Sequence, residues 1–126
     1  MRVLVCGGRT FSDRHRLYEA LNALDPRPTL IIEGGQRTKE AGQIVGGADF
    51  FAKEWADRRG IPVLTVDAEW QRYGKSAGPL RNAKMISFGR PDLVLATDGG
   101  AGTNDMVRQA CNANIKVIKV NATESS

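Results

Sequence analysis

Short apolar runs alternate with longer stretches of helical period along this chain. The apolar runs predict five strands, at residues 2–6, 29–33, 61–65, 93–96 and 116–120. Helices are predicted between them: after Ser12-Asp13, through Phe51 and Trp55, from about Pro79 to Phe88, and after Gly102-Thr103. Strands that are apolar almost throughout and separated by helices are typical of a parallel sheet covered on both faces.

The predicted fold class is therefore α/β, a three-layer Rossmann-like fold with a five-stranded parallel sheet. Right-handed crossovers and a reversal of winding favour the strand order 3-2-1-4-5. A single domain is expected over residues 1–120, followed by a frayed C-terminal tail at 121–126. The stretch 34–47 is too long for an ordinary connection between strand and helix, and we expect an exposed, mobile loop there.

Composition narrows the function classes. The 126 residues contain two cysteines and one histidine, so neither a disulfide scaffold nor a Cys or His metal cluster is expected. No apolar run has the length of a membrane span, and the N-terminus lacks the pattern of a secretion signal, so a cytoplasmic protein without membrane contact is expected. No cofactor is predicted. The formal charge of +4 suits anionic partners without choosing among them.

Paired glycines follow three of the predicted strands. They are Gly7-Gly8, Gly34-Gly35 and Gly99-Gly100, and Gly46-Gly47 precedes the second helix. Glycine lets backbone N–H groups approach a ligand closely, and a helix N-terminus adds partial positive charge, so these turns favour phosphate binding. Because the carboxyl ends of parallel strands share one edge, the turns are expected to meet in one crevice. Neither a dinucleotide G-x-G-x-x-G nor a P-loop motif is present.

Four ordered segments carry a family resemblance. They are Val3 to Arg9, Gly46 to Asp49, Ala77 to Met85 and Asp98 to Met106. Together they resemble the YspA-type, cpYpsA-related branch of the SLOG superfamily, which contains Rossmann-like proteins such as the LOG phosphoribohydrolases and the DprA/SMF proteins. The resemblance implies a Rossmann-like domain with a nucleotide-related ligand.

The chain departs from the LOG pattern at two positions, and from the resembled branch at one stretch. Asp98 stands where that pattern has proline, and Met106 stands where it has a catalytic glutamate. Asp105 lies one residue earlier, which rotates the side chain by about 100° on a helix. The stretch from Gln36 to Val45 is an insertion relative to the resembled branch, either a lid over the crevice or a tolerated surface loop.

The expected function is binding of a nucleotide or nucleotide-derived ligand, such as an ADP-ribose-like molecule or a nucleoside monophosphate. Whether the chain is an enzyme stays open; a LOG-like cleavage of a nucleotide N-glycosidic bond is the first alternative, and Asp49 and Asp105 are its candidate catalytic carboxylates. DprA-like single-strand nucleic-acid binding is the second. The predicted ligand-binding residues are Gly7, Gly8, Arg9, Gly47, Asp49, Arg81, Asn82, Gly99, Gly100, Gly102 and Thr103.

Two sets of aromatic residues leave further alternatives. Trp70 and Tyr73, after the third strand, either stack on a base or pack the loop. Superfamily relatives often pair through helices, so Phe50, Phe51 and Trp55 are candidates for a homodimer surface.

Overall fold

A computed structural model describes residues 1–120. The strands are β1 (Arg2–Cys6), β2 (Leu30–Glu33), β3 (Thr38–Glu40), β4 (Gln43–Gly46), β5 (Val63–Thr65), β6 (Leu93–Thr97) and β7 (Lys116–Val120). The helices are α1 (Arg14–Asn22), α2 (Ala48–Arg58), α3 (Trp70–Tyr73), α4 (Ala77–Gly89) and α5 (Ala101–Asn112), with a 3₁₀ turn at Gly74–Ser76 before α4. The predicted tail at 121–126 lies outside the described residues.

The main sheet has five parallel strands in the order β5-β2-β1-β6-β7. In terms of the five predicted strands this is 3-2-1-4-5, so the fold class and the strand order are confirmed. The winding reverses between β1 and β6, which pair from Val3 with Leu93 to Cys6 with Ala96. In open α/β sheets such a reversal opens a crevice at the carboxyl ends of the strands.

Alternate residues of the central strands pack against different helices. Val3 and Val5 face α1 and α2, whereas Leu4 and Cys6 face α4 and α5. This period of two is what a strand covered on both faces requires. The two apolar layers hold the strands rigidly, and the polar residues at their carboxyl ends are positioned by that core.

The stretch 34–47 differs from the expected loop. It forms a two-stranded antiparallel hairpin, β3 and β4, whose outer half is exposed, including Ile44 and Val45. The prediction of a loop is wrong because Thr38–Glu40 and Gln43–Gly46 pair across the Ala41-Gly42 turn, where both residues have positive φ. Gly34 and Gly46, at the base of the hairpin, are buried.

Other boundaries and burials also correct the predictions. Helix α4 begins at Ala77, two residues before Pro79, and the short helix α3 was not predicted. Phe51 and Trp55 are each 2% exposed. They pack in the α1–α2 core, so the expectation that they form a pairing surface is wrong. Within residues 1–120, no helix combines the length and the apolar character needed to cross a bilayer.

Candidate functional site

The turns after β1 and β6 touch each other at the winding reversal. Gly8 N donates to Asp98 O at 2.9 Å. A Cβ on Gly7 would collide with Thr97 Oγ1, and a Cβ on Gly99 would lie 2.8 Å from Gly8 N. A side chain is therefore excluded at Gly7 and at Gly99, and two of the predicted glycine pairs lie side by side as expected.

The first turn of α5 is open. No side chain caps this helix, and Cβ atoms on Gly100 and Gly102 would have no heavy atom within 4 Å. The first N–H groups of a helix have no partner within the helix and carry partial positive charge. Thr103 is 8% exposed and lies under this turn. This end of α5 can donate backbone hydrogen bonds to an anion.

Glu33 ends β2 and is completely buried. Its carboxylate accepts hydrogen bonds from Gly35 N at 2.8 Å and from Arg37 Nη1 at 2.9 Å, and also from the Thr65 hydroxyl. Arg37 also donates to the backbone of Gln36. A buried carboxylate needs such partners to stay charged. The ion pair fixes the base of the hairpin to the sheet.

Asp49 lies in the first turn of α2 and is 4% exposed. One of its carboxylate oxygens accepts from Gln36 N at 3.1 Å, which ties the helix to the hairpin. Burial and the nearby Glu33 charge raise the pKa of Asp49 to about 7, against the opposing effects of the Gln36 N–H, Arg81 and Arg37. This carboxyl can therefore give up or take a proton near neutral pH.

Arg81 and Asn82 project from α4 toward the same place and are 7% and 2% exposed. Arg81 donates from Nη1 to Gly34 O at 2.6 Å and from Nε to Asn82 Oδ1 at 2.9 Å. Asn82 Nδ2 in turn donates to Gly102 O at 3.1 Å. The two side chains thus connect the turn after β2 to the start of α5. We call Glu33, Arg37, Asp49, Arg81 and Asn82 the buried cluster.

The carboxylate of Asp105 is hydrogen-bonded by three other side chains. Its carboxylate accepts from Asn82 Nδ2 at 3.0 Å, from Gln109 Nε2 at 2.7 Å and from Arg108 at 2.5 Å. The bond from Asn82 joins α4 to α5, whereas Arg108 and Gln109 lie on α5 with Asp105. Met106, where the LOG pattern has its glutamate, is fully buried in the core between these helices and the sheet.

Two clefts open beside these turns. The wide cleft, about 520 Å³, is lined by residues 8–12 and 98–100. The hairpin cleft, about 300 Å³, is lined by Arg9, residues 34–37, Asp67, Ala68, Trp70 and Arg81. Arg9 lines both clefts and is exposed. Trp70 and Tyr73 are 53% and 40% exposed, so part of each ring is accessible to a ligand. Stacking on a base and packing of the loop both stay predictions for these residues.

The predicted ligand-binding residues converge on this region. Gly8, Arg9, Gly99 and Gly100 line the wide cleft. A narrow space that shares Gly34, Gln36 and Arg81 with the hairpin cleft is also lined by the predicted residues Gly7, Asp49, Asn82, Gly102 and Thr103. Their roles in binding stay predictions.

Gly47 has a different environment. Its N–H donates to Phe11 O at 3.2 Å, its φ is 109°, and a Cβ there would lie 3.0 Å from Arg9 O. These contacts explain the glycine through backbone packing.

Glu33 and Arg37 were missed by the sequence reasoning. The sequence pattern places Glu33 in the second strand and Arg37 in a loop, and it indicates no role in binding for either residue. An acidic residue at the carboxyl end of a buried parallel strand is a signal for the site edge of an α/β sheet, and this signal would have found Glu33. No local pattern identifies Arg37 as its partner.

Cys6 lies at the end of β1 next to the buried cluster and is 7% exposed. Burial and the nearby Asp49 carboxyl raise the pKa of its thiol to about 12. The thiol therefore stays protonated at neutral pH and is a poor nucleophile.

Comparison with known proteins identifies the family of this chain. The family model described as YspA, cpYpsA-related SLOG family matches residues 1–73. The match includes the turn after β1, the hairpin and α2, whereas the segments at 77–85 and 98–106 lie beyond it. The chain is also similar to the Gene 61 protein of Mycobacterium phage D29, with 35% identity over 127 aligned residues that cover 93% of this chain and 94% of that protein.

The family match covers more than half of the chain, and its first strand and glycine turn form the centre of the sheet edge described above. The chain belongs to the YspA, cpYpsA-related SLOG family.

Proposed function

We propose that this chain binds a nucleotide or a nucleotide-derived ligand, such as a nucleoside monophosphate or an ADP-ribose-like molecule, at the carboxyl ends of β1 and β6. The observation that carries the proposal is the uncapped first turn of α5, which faces open space at Gly100 and Gly102. A phosphate placed there would accept backbone hydrogen bonds and interact favourably with the helix dipole.

Arg9 supports the same proposal. It is exposed and lines the wide cleft together with Gly99 and Gly100. Among the described residues, no carboxylate forms an ion pair with its guanidinium. A guanidinium without a protein partner is suited to bind a phosphate through two parallel hydrogen bonds.

Titration calorimetry with AMP and with ADP-ribose tests the proposal. We expect saturable binding of at least one of these nucleotides and an affinity about tenfold lower for Arg9→Ala, because a charge-assisted hydrogen bond is lost. Arg27→Ala, an exposed arginine outside both clefts, is the matched control and should bind like the wild type. If neither nucleotide binds at millimolar concentration, the proposal is wrong.

A second candidate function is cleavage of a nucleotide N-glycosidic bond. One observation favours it: the carboxyl of Asp49, whose pKa is raised to about 7 and which lies beside Arg81, is able to act as a general acid or base. Two observations favour binding without cleavage. Met106 is a core residue, and the Asp105 carboxylate is held by three side chains.

Release of free adenine from AMP separates the two functions. We expect no release at an ordinary enzymic rate of ~1 s⁻¹ or faster. Release at such a rate by the wild type, abolished in Asp49→Asn but not in Asp57→Asn on the exposed end of α2, would instead establish the hydrolase.

A further inference from the structure

The two clefts meet at Arg9, which is the residue that lines both. The wide cleft runs from Arg9 along residues 10–12 on one side and 98–100 on the other, whereas the hairpin cleft runs from Arg9 toward Asp67 and Trp70. A ligand anchored by its phosphate at Arg9 therefore has room in two directions. Volumes of about 300 and 520 Å³ each reach the range of ~300–1,000 Å³ that is usual for small-molecule sites.

The hairpin cleft has the chemistry of a nucleoside site. Trp70 presents an aromatic ring that is 53% exposed, and the edge of this ring rests against Gly78, where a Cβ would lie 3.3 Å from the ring. The ring is thus supported from α4 and still accessible. Asp67 supplies an exposed carboxylate on the same wall. An aromatic face stacks on a base, and a carboxylate accepts hydrogen bonds from sugar hydroxyl or base amino groups.

Arg81 adds a second cation to this cleft. The residue is 7% exposed, and it uses Nε and Nη1 for its bonds to Asn82 and Gly34. No described residue accepts a hydrogen bond from its Nη2. Since Arg81 lines the open cleft, this Nη2 group is available to donate to a ligand there.

We infer that the ligand has two sugar-bearing halves joined by a diphosphate, with the diphosphate between Arg9 and the Gly99-Gly100 turn. One half, which carries the base, stacks on Trp70 in the hairpin cleft. The other half lies along residues 10–12 in the wide cleft. This inference rests on the proposed function and specifies its substrate class: an ADP-ribose-like molecule rather than a nucleoside monophosphate.

Calorimetry with three probes tests it. ADP-ribose has both halves, AMP has the base half with one phosphate, and ribose 5-phosphate has neither base nor diphosphate. We expect ADP-ribose to bind the wild type at least tenfold more tightly than either smaller probe. Equal affinities for ADP-ribose and AMP would overturn the inference and leave the proposed function standing, whereas no binding of any probe would overturn both.

One variant for each cleft locates the halves. Trp70→Ala should lower the affinity for ADP-ribose and for AMP about tenfold, which corresponds to the loss of one stacked base. The affinity for ribose 5-phosphate should not change. Trp70→Phe should retain most of the affinity. Phe88→Ala removes an aromatic ring that is 72% exposed on α4 and lines neither cleft, so it is the matched control. Thr10→Trp, which narrows the wide cleft along residues 10–12, should lower the affinity for ADP-ribose by a larger factor than the affinity for AMP.

Fluorescence gives an independent measurement. The two tryptophans differ, since Trp55 is buried and donates to Asn22 Oδ1 at 3.0 Å whereas Trp70 is exposed. We expect ADP-ribose to quench the wild-type emission and to leave the emission of Trp70→Phe unchanged. Tight binding of ADP-ribose without quenching, or with affinity unaffected in Trp70→Ala, would overturn the placement of the base.

Discussion

Two neighbouring regions of the same sheet edge differ in whether their polar groups have hydrogen-bond partners within the protein. The start of α5 leaves its backbone donors open, with free space at Gly100 and Gly102. The region after β2 is instead filled by the buried cluster, in which Arg37 neutralises Glu33 and Arg81 holds the backbone of Gly34. The first region offers hydrogen bonds to a ligand, whereas the second uses most of its own to hold the hairpin and α4 in place.

Substitutions in the two regions should therefore have different consequences. A change in the buried cluster should lower the stability of the fold, because it leaves polar groups without partners away from water. A change at the open turn should alter ligand affinity and leave the fold intact.

Arg81→Met should lower the free energy of unfolding by about 3 kcal/mol. The substitution leaves Gly34 O and Asn82 Oδ1 without their donor in a buried place, at roughly 1–3 kcal/mol for each group. Urea denaturation measures the change. Lys84→Met, on the exposed face of the same helix, is the control and should stay within about 0.5 kcal/mol of the wild type. A stable Arg81→Met protein would show that the cluster is not structural.

Asp49 should make stability dependent on pH. Its pKa rises from 3.8 to about 7 on folding, so the folded chain holds this proton when the unfolded chain has released it. The contribution is fully present below pH 3.8 and is lost as the pH rises to about 7. The free energy of unfolding of the wild type, compared with that of Asp49→Asn, should therefore fall by roughly 2–3 kcal/mol between pH 4.5 and 7.5.

Denaturation of both proteins across this pH range measures the difference, because other titrating groups affect the two alike. Asp57→Asn, at an exposed position of α2, should follow the wild-type curve. Parallel curves for Asp49→Asn and the wild type would contradict the raised pKa of the Asp49 carboxyl.

Gly100→Val should lower nucleotide affinity tenfold or more, about 1.4 kcal/mol, and change stability by less than that. A Cβ at Gly100 meets no heavy atom of the protein within 4 Å, and the φ of this residue is negative, at −95°, so neither a clash of the Cβ nor a positive φ opposes the substitution. The added side chain would occupy the space through which a phosphate reaches the backbone. Calorimetry and urea denaturation give the two quantities.

Ala83→Val, which places the same side chain on the exposed face of α4, is the control for this substitution. Unchanged affinity in a folded Gly100→Val protein would remove the start of α5 from the site.

The open region was more predictable from sequence than the filled one. Gly7, Gly8 and Gly99 follow strands directly, so the strand order is enough to bring them together. The buried cluster depends on contacts between distant residues, such as Arg81 with Gly34 and Glu33 with Thr65, which no local periodicity encodes. The hairpin was missed for a related reason: β3 is polar and short, so it lacks the apolar alternation that identifies a strand.

The smallest expected effect is that of salt, and it tests whether the partner is a small anion or a nucleic-acid strand. A ligand held at the start of α5 and by Arg9 presents one or two phosphates, so its affinity should fall only modestly between 50 and 200 mM salt. A protein that neutralises several phosphates of a single strand loses affinity with a log–log slope of about −0.7 per phosphate. With a formal charge of only +4, and with Asp67 and Asp98 among the cleft residues, we expect weak binding of a single-stranded oligonucleotide that AMP or ADP-ribose displaces.

Titration of the oligonucleotide and of both nucleotides across the salt series measures the slopes. Submicromolar, steeply salt-dependent oligonucleotide binding that neither nucleotide displaces would show that the open region is part of a nucleic-acid groove and not a phosphate pocket.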